Sequence, residues 1–87
     1  MPGLGPAGEL PGPFYVQVGA FSRTANADRL LSRLQAAGYA GSRIQFKEID
    51  GVGLYQVHAG IFPTTVAAEE ARLRLASVFA GAFVIAQ

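Results

Sequence analysis

The chain has 87 residues, 51% of them hydrophobic and 15% charged, with no cysteine and a single histidine. That is apolar material for one small core, and it excludes a disulfide framework, a zinc ribbon, a thiolate nucleophile and a two-histidine metal site. Seven Lys+Arg against six Asp+Glu leave a net charge of +1, far from the basic excess with which a general nucleic-acid binder neutralises phosphates.

The first thirteen residues hold eight Pro or Gly. Proline stiffens such a segment and glycine breaks any regular element, so residues 1–13 are expected to be an extended linker and residues 14–87 the folded domain. The linker has neither the basic start nor the apolar stretch of a signal peptide, and no later apolar run approaches the ~20 residues of a membrane span. A linker joins two parts, so the chain reads as a module of a longer protein whose targeting segment lies elsewhere.

Phe14 to Ala20 is a β-prone run that places Val16 and Val18 on one face and Tyr15, Gln17 and Gly19 on the other. Thr24 is the expected cap of a first helix, with Asp28 in its first turn, where the helix dipole favours an acid. Ala27, Leu30, Leu31 and Leu34 form its apolar stripe, and Gly38 stands where a left-handed residue ends a helix. Arg43 to Ile49 is a second strand in which Ile44 and Phe46 alternate with Arg43, Gln45 and Lys47, and Asp50-Gly51-Val52-Gly53 is a hairpin turn. Leu54 to Ile61 is a third strand with Tyr55, Val57 and Ala59 inward and Gln56, His58 and Gly60 outward. Thr65 is expected to cap a second helix with the stripe Ala68, Ala71, Leu75, Val78 and Phe79, and Ala82 to Ala86 closes the domain as a strand.

A shift of 41 superposes Val16 on Val57, Gly19 on Gly60, Phe21 on Phe62, Thr24 on Thr65, Ala27 on Ala68, Arg33 on Arg74 and Leu34 on Leu75. Two copies are too few for a solenoid, which needs at least about three repeats. A pseudo-twofold α+β domain of order βαββαβ is expected instead: a ferredoxin-like, four-stranded antiparallel sheet with both helices on one face. The other face is then bare, and Tyr15, Gln17, Gly19, Gln56, His58 and Gly60 point to it from the two central strands, with Gln17 and His58 as repeat equivalents.

The run Phe14-Tyr15-Val16-Gln17-Val18-Gly19-Ala20-Phe21, followed by a helix with Ala and Leu at these spacings, is similar to the opening of the SPOR (sporulation-related repeat) domain. Leu54 to Phe62 resembles the second repeat of that family, with Gln56 where the family usually has Arg and Ile61 where it has Pro. The resemblance covers about residues 14–85. It implies a non-catalytic module of the bacterial cell envelope, in the periplasm or at the septum. Such modules bind peptidoglycan glycan strands stripped of their stem peptides and carry a parent protein to the division site, the parent being of the lytic-transglycosylase or cell-division kind. The implied site lies on the open sheet face and its edges, matching Gln17 directly and Ser22 and Asn26 more loosely. The implied partner is glycan, with no cofactor, metal, nucleic acid or direct membrane contact, and the module is expected to be a monomer.

The residue chemistry fits a neutral sugar, which needs side chains that both donate and accept, together with aromatic faces. Gln17, Gln45, Gln56, Ser22, Asn26 and His58 are of the first kind and Tyr15 of the second; Gly19 and Gly60 would leave room for a chain against the sheet, and Arg43 and Lys47 could hold lactyl carboxylates. Gln17→Ala is expected to weaken glycan binding by about 1–3 kcal/mol while leaving the fold intact, and a His58 contact would make affinity titrate near the ordinary imidazole value of about 6.5. Plainer roles compete: outward Gln is usually only solvated, glycines can serve bulges, and His58 shows no orienting partner for base catalysis. Pairing Asp28 with Glu69, or Glu69 with Glu70, as glycosidase acids is rejected, because first-turn positions explain them. The same topology also carries RNA on an open sheet, but no Lys/Arg-Gly-Phe-Gly-Phe-like strand occurs here; a small-molecule regulatory domain dimerising through a sheet edge is the other alternative.

Overall fold

In the computed structural model, which describes residues 11–79 and 81–86, the order is β1 (Pro11–Phe21), α1 (Thr24–Ala36), β2 (Arg43–Ile49), β3 (Val52–Thr64), α2 (Thr65–Ala76) and β4 (Phe83–Ala86). The sheet runs β2-β3-β1-β4 and all its pairings are antiparallel. This is the expected split βαβ arrangement, with the two repeat strands β1 and β3 side by side at the centre. Strand β1 begins at Pro11, which pairs with Thr64, three residues before the expected domain start; the linker up to residue 10 lies outside the described residues.

The core lies between the sheet and the two helices. Val16, Val18, Val57 and Ala59 meet Ala27, Leu30 and Leu34 of α1 and Ala71 and Leu75 of α2, with Phe21, Phe62, Tyr55 and Ile44 packed around them. The repeat equivalents Phe21 and Phe62 therefore do the same job at the two helix starts. Val78 does not join the second stripe: α2 ends at Ala76 and Val78 is 63% exposed. Phe46 faces the helix side, with its ring 5.0 Å from that of Tyr55, but β2 extends beyond the cover of the helices there and Phe46 is 56% exposed.

The helix ends differ from expectation by one residue. Thr64, not Thr65, is the cap of α2, its Oγ1 accepting from Ala67 N–H at 3.1 Å. For α1 the cap position is Arg23, which makes no side-chain cap bond, and Thr24 is the first helical residue. Neither first turn holds an acid; Asp28 and Glu69 sit one turn further in, and Glu69 accepts from Arg72 Nε at 2.8 Å. Gly38 does end α1 in the left-handed region, letting Tyr39 N–H reach Leu34 C=O at 3.0 Å. The hairpin is a two-residue turn, Asp50 and Gly51 both at positive φ between the paired Ile49 and Val52, the backbone that matches the twist of antiparallel strands.

Register places the side chains of the open face. Arg43 pairs with His58, His58 with Gln17 and Gln17 with Phe83, so these four residues form one row across all four strands. Past Gln17, β1 takes two residues to one of β3, since Gly19 pairs with Val57. This bulge leaves Val18 in the core and turns Gly19 to the helix side as well. A Cβ on Gly19 would stand 2.9 Å from the Phe21 ring and 3.1 Å from Leu30. The expected outward position of Gly19 is thereby corrected: it makes room for the core.

Candidate functional site

The open face is not bare at its centre. His58 is 1% exposed and Tyr15 8%, though no second layer of the described residues covers them. Their own neighbours do so by lying flat on the sheet. The Tyr15 ring rests on Gly60, where any Cβ would collide with it, and the Arg43 guanidinium lies 3.9 Å above the centroid of that ring, a cation–π stack. The Tyr15 and His58 rings are 5.9 Å apart and tilted. The expectation of an exposed aromatic face at Tyr15 is therefore corrected: a guanidinium already occupies it. Gly60 serves Tyr15 in the same way, as the floor under its ring.

His58 is held from both sides. Arg43 Nε donates to its Nδ1 at 3.4 Å, and its Nε2 lies 3.2 Å from Gln17 Oε1. Burial, and then the neighbouring Arg43 charge, push its pKa down from 6.5 to about 4, because both disfavour an imidazolium. The expected titration near 6.5 is corrected accordingly: the ring is neutral across the physiological range. Gln17 is also more than a surface amide, being the acceptor for a buried ring. Gln17→Ala would strip that acceptor from a buried ring, so the expectation that it leaves the fold untouched is corrected too.

Beside this buried cluster lies a groove of about 410 Å³. Gln17 and His58 form one wall, and Gln45 and Gln56, paired across β2 and β3, form the floor. Lys47 stands at one side, and Phe83 and Ile85 of β4 close the other. Phe83 is 48% exposed and offers the aromatic surface that Tyr15 does not. Lys47 is the charged side chain among the lining residues, and none of those residues is a carboxylate. The site thus combines amide donors and acceptors, one ammonium and an apolar edge, which is chemistry for binding a polar ligand with apolar patches.

Five of the residues expected from sequence therefore line one groove: Gln17, Gln45, Lys47, Gln56 and His58. Ser22 is exposed in the bend between β1 and α1. Asn26 lines a different hollow of about 280 Å³ on the helix side, with Phe21, Arg29, Arg33 and Phe79. Arg43, expected to hold a carboxylate, instead covers Tyr15. Phe83 and Ile85 are groove residues that the sequence reasoning missed. Alternation along the closing strand carried the signal: Val84 packs on the core, so its two neighbours must point the other way.

Three comparisons bear on this fold and groove. A family model described as the SPOR domain matches residues 10–86. Among solved structures, the solution structure of the peptidoglycan binding domain of the B. subtilis cell wall lytic enzyme CwlC is 34% identical, covering 87% of this chain and 90% of that one with a TM-score of 0.62. No curated protein sequence matches the chain significantly.

Proposed function

The chain belongs to the SPOR-domain family, and from that membership we propose that it is a non-catalytic cell-wall-binding module that recognises peptidoglycan glycan strands lacking stem peptides. The observation that carries this reading is the 34% identity, over nearly the whole of both chains, to a domain that binds peptidoglycan. The groove supports it from the chemical side. A glycan without peptides presents hydroxyls, N-acetyl amides and lactyl carboxylates around apolar ring faces. Gln17, Gln45 and Gln56 can donate to and accept from the first two, Lys47 can meet the carboxylate, and Phe83 can lie against a ring. The proposed contact set leaves out Ser22 and Asn26, which do not line this groove, and Gly19, which faces the core.

In this reading the module is a monomer that acts in the cell envelope and brings a parent protein to septal wall from which amidases have removed the peptides. The N-terminal segment rich in Pro and Gly supplies the tether. The test is co-sedimentation of the purified chain with peptidoglycan sacculi before and after amidase treatment. Binding that appears on removal of the peptides is the expected result. Equal binding to both preparations would show a general affinity for wall and overturn the glycan specificity, and binding to neither would overturn the reading as a whole.

A further inference from the structure

The row Arg43–His58–Gln17 runs across three strands as a chain of hydrogen bonds with only one consistent polarity. Arg43 Nε carries a proton and no lone pair, so it can only donate, and His58 Nδ1, 3.4 Å away, must accept. The ring proton of the neutral imidazole then sits on Nε2, which faces Gln17 Oε1 at 3.2 Å. That oxygen accepts, and the amide –NH₂ of Gln17 is turned away from the ring. The opposite amide orientation would set N–H against N–H beside a ring that is 1% exposed, where no water relieves the mismatch. An imidazolium is disfavoured for the same reason, since its Nδ1–H would face the Arg43 Nε–H; the low pKa of the ring agrees. Arg43 is itself pinned, its guanidinium stacked on Tyr15 and that ring seated on Gly60.

We propose that Arg43 and His58 are positioning residues that hold the Gln17 amide with its N–H donors toward the ligand, so that the groove selects sugars presenting an acceptor oxygen and rejects sugars presenting an ammonium. On the glycan the acceptor is the N-acetyl carbonyl or the lactyl carboxylate, and the ammonium is the amino sugar left when the acetyl group is removed. The formal charge in the groove has the same sense. Lys47 adds a second donor of positive charge, and no carboxylate is among the lining residues to receive a cation. A de-N-acetylated sugar would lose the acceptor that the Gln17 amide meets and bring its charge beside the Lys47 ammonium, with only the neutral amide oxygens of Gln45 and Gln56 to accept from it. The inference rests on the glycan reading above and deepens it.

The experiment measures equilibrium binding of the full chain to two soluble, peptide-free glycan preparations, one fully N-acetylated and one chemically de-N-acetylated. The wild type is expected to prefer the N-acetylated strand at least about tenfold. Gln17→Glu keeps an oxygen for His58 Nε2–H but replaces the outward donors with a carboxylate, and it is expected to abolish or reverse the preference. His58→Met breaks the chain and should lose the preference, whereas His58→Gln, whose amide can accept from Arg43 and donate to Gln17, should restore it. A melting curve for each variant separates loss of preference from loss of fold. Nitrogen NMR of the wild-type imidazole at neutral pH should show Nε2 protonated and Nδ1 bare, and Arg43→Met should release that bias. Failure of the wild type to bind either glycan overturns the cell-wall reading and the selectivity with it. Equal binding to both strands overturns the selectivity alone, and an Nδ1–H tautomer in the wild type overturns the positioning chain whatever the binding shows.

Discussion

On the helix side of the sheet, Val16, Val57 and Ala59 are sealed by Leu30, Leu34, Ala71 and Leu75, which come from a second layer. On the opposite side, Tyr15 and His58 are buried almost as deeply with no second layer among the described residues. The first face is closed by apolar volume, which is non-directional and tolerant of small shifts. The second is closed by Arg43, Tyr15 and Gly60 stacked in one order and by hydrogen bonds of fixed polarity. Such a cluster is sound in so far as its members are paired; here the Arg43 Nε, His58 and Gln17 groups are paired, while Arg43 Nη2 is buried without a hydrogen-bond partner among the described residues. One face therefore supplies bulk stability, and the other holds side chains still beside an open groove.

The largest effect expected from this contrast lies on the helix side. Leu34→Ala and Leu75→Ala should each lower stability by about 2–5 kcal/mol, through lost burial and the cavity left behind. Against the roughly 5–15 kcal/mol that holds small domains, either could remove most of the fold. Urea unfolding at wild-type midpoints would show that the core is elsewhere.

The polar face should reveal itself through pH. The folded-state pKa of His58 is depressed to about 4 from 6.5, so between those values the unfolded chain takes up a proton that the folded chain refuses. The contribution of His58 is therefore intact above pH 6.5 and falls as pH drops toward 4, by up to roughly 3 kcal/mol. Unfolding free energies at pH 7 and 4.5 should show a larger loss in the wild type than in His58→Gln; equal losses would clear His58 of the effect. Glycan affinities at pH 5.5 and 8 should not differ on account of this residue, since it is neutral at both.

Gly60→Ala sharpens the comparison within the polar face. The new Cβ collides with the Tyr15 ring, which cannot move without lifting Arg43, so a loss of about 1–3 kcal/mol is expected from a single methyl group. A variant as stable as the wild type would mean that the stack rearranges freely. The smallest effects separate the two helix starts. Thr64→Ala removes the bond to Ala67 N–H and should cost about 1 kcal/mol. Thr24→Ala, at a start with no side-chain cap, should stay within about 0.5 kcal/mol. Thermal melts of the pair would reveal a hidden cap if Thr24→Ala proved the more damaging.

Much of this molecule is legible in its sequence because the relevant signals are local. Alternation and helical spacing mark the elements, and Asp50-Gly51 marks the hairpin. The repeat at a separation of 41 residues makes Gln17 and His58 equivalents, and the fold then joins them by a hydrogen bond. Those signals predicted the βαββαβ order and brought Gln17, Gln45, Gln56 and His58 to one face. What only the tertiary structure decided depends on register and on side chains meeting across strands. A one-residue bulge in β1 turned Gly19 to the helices. Pairing of Arg43 with His58 put a guanidinium over Tyr15 and buried a face that alternation alone leaves open. The phase of β4 set Phe83 beside Gln17. Period-2 alternation says which way a residue points relative to its own neighbours in the chain; which side chain stands opposite, and whether it shields, charges or orients its partner, is a property of the assembled sheet.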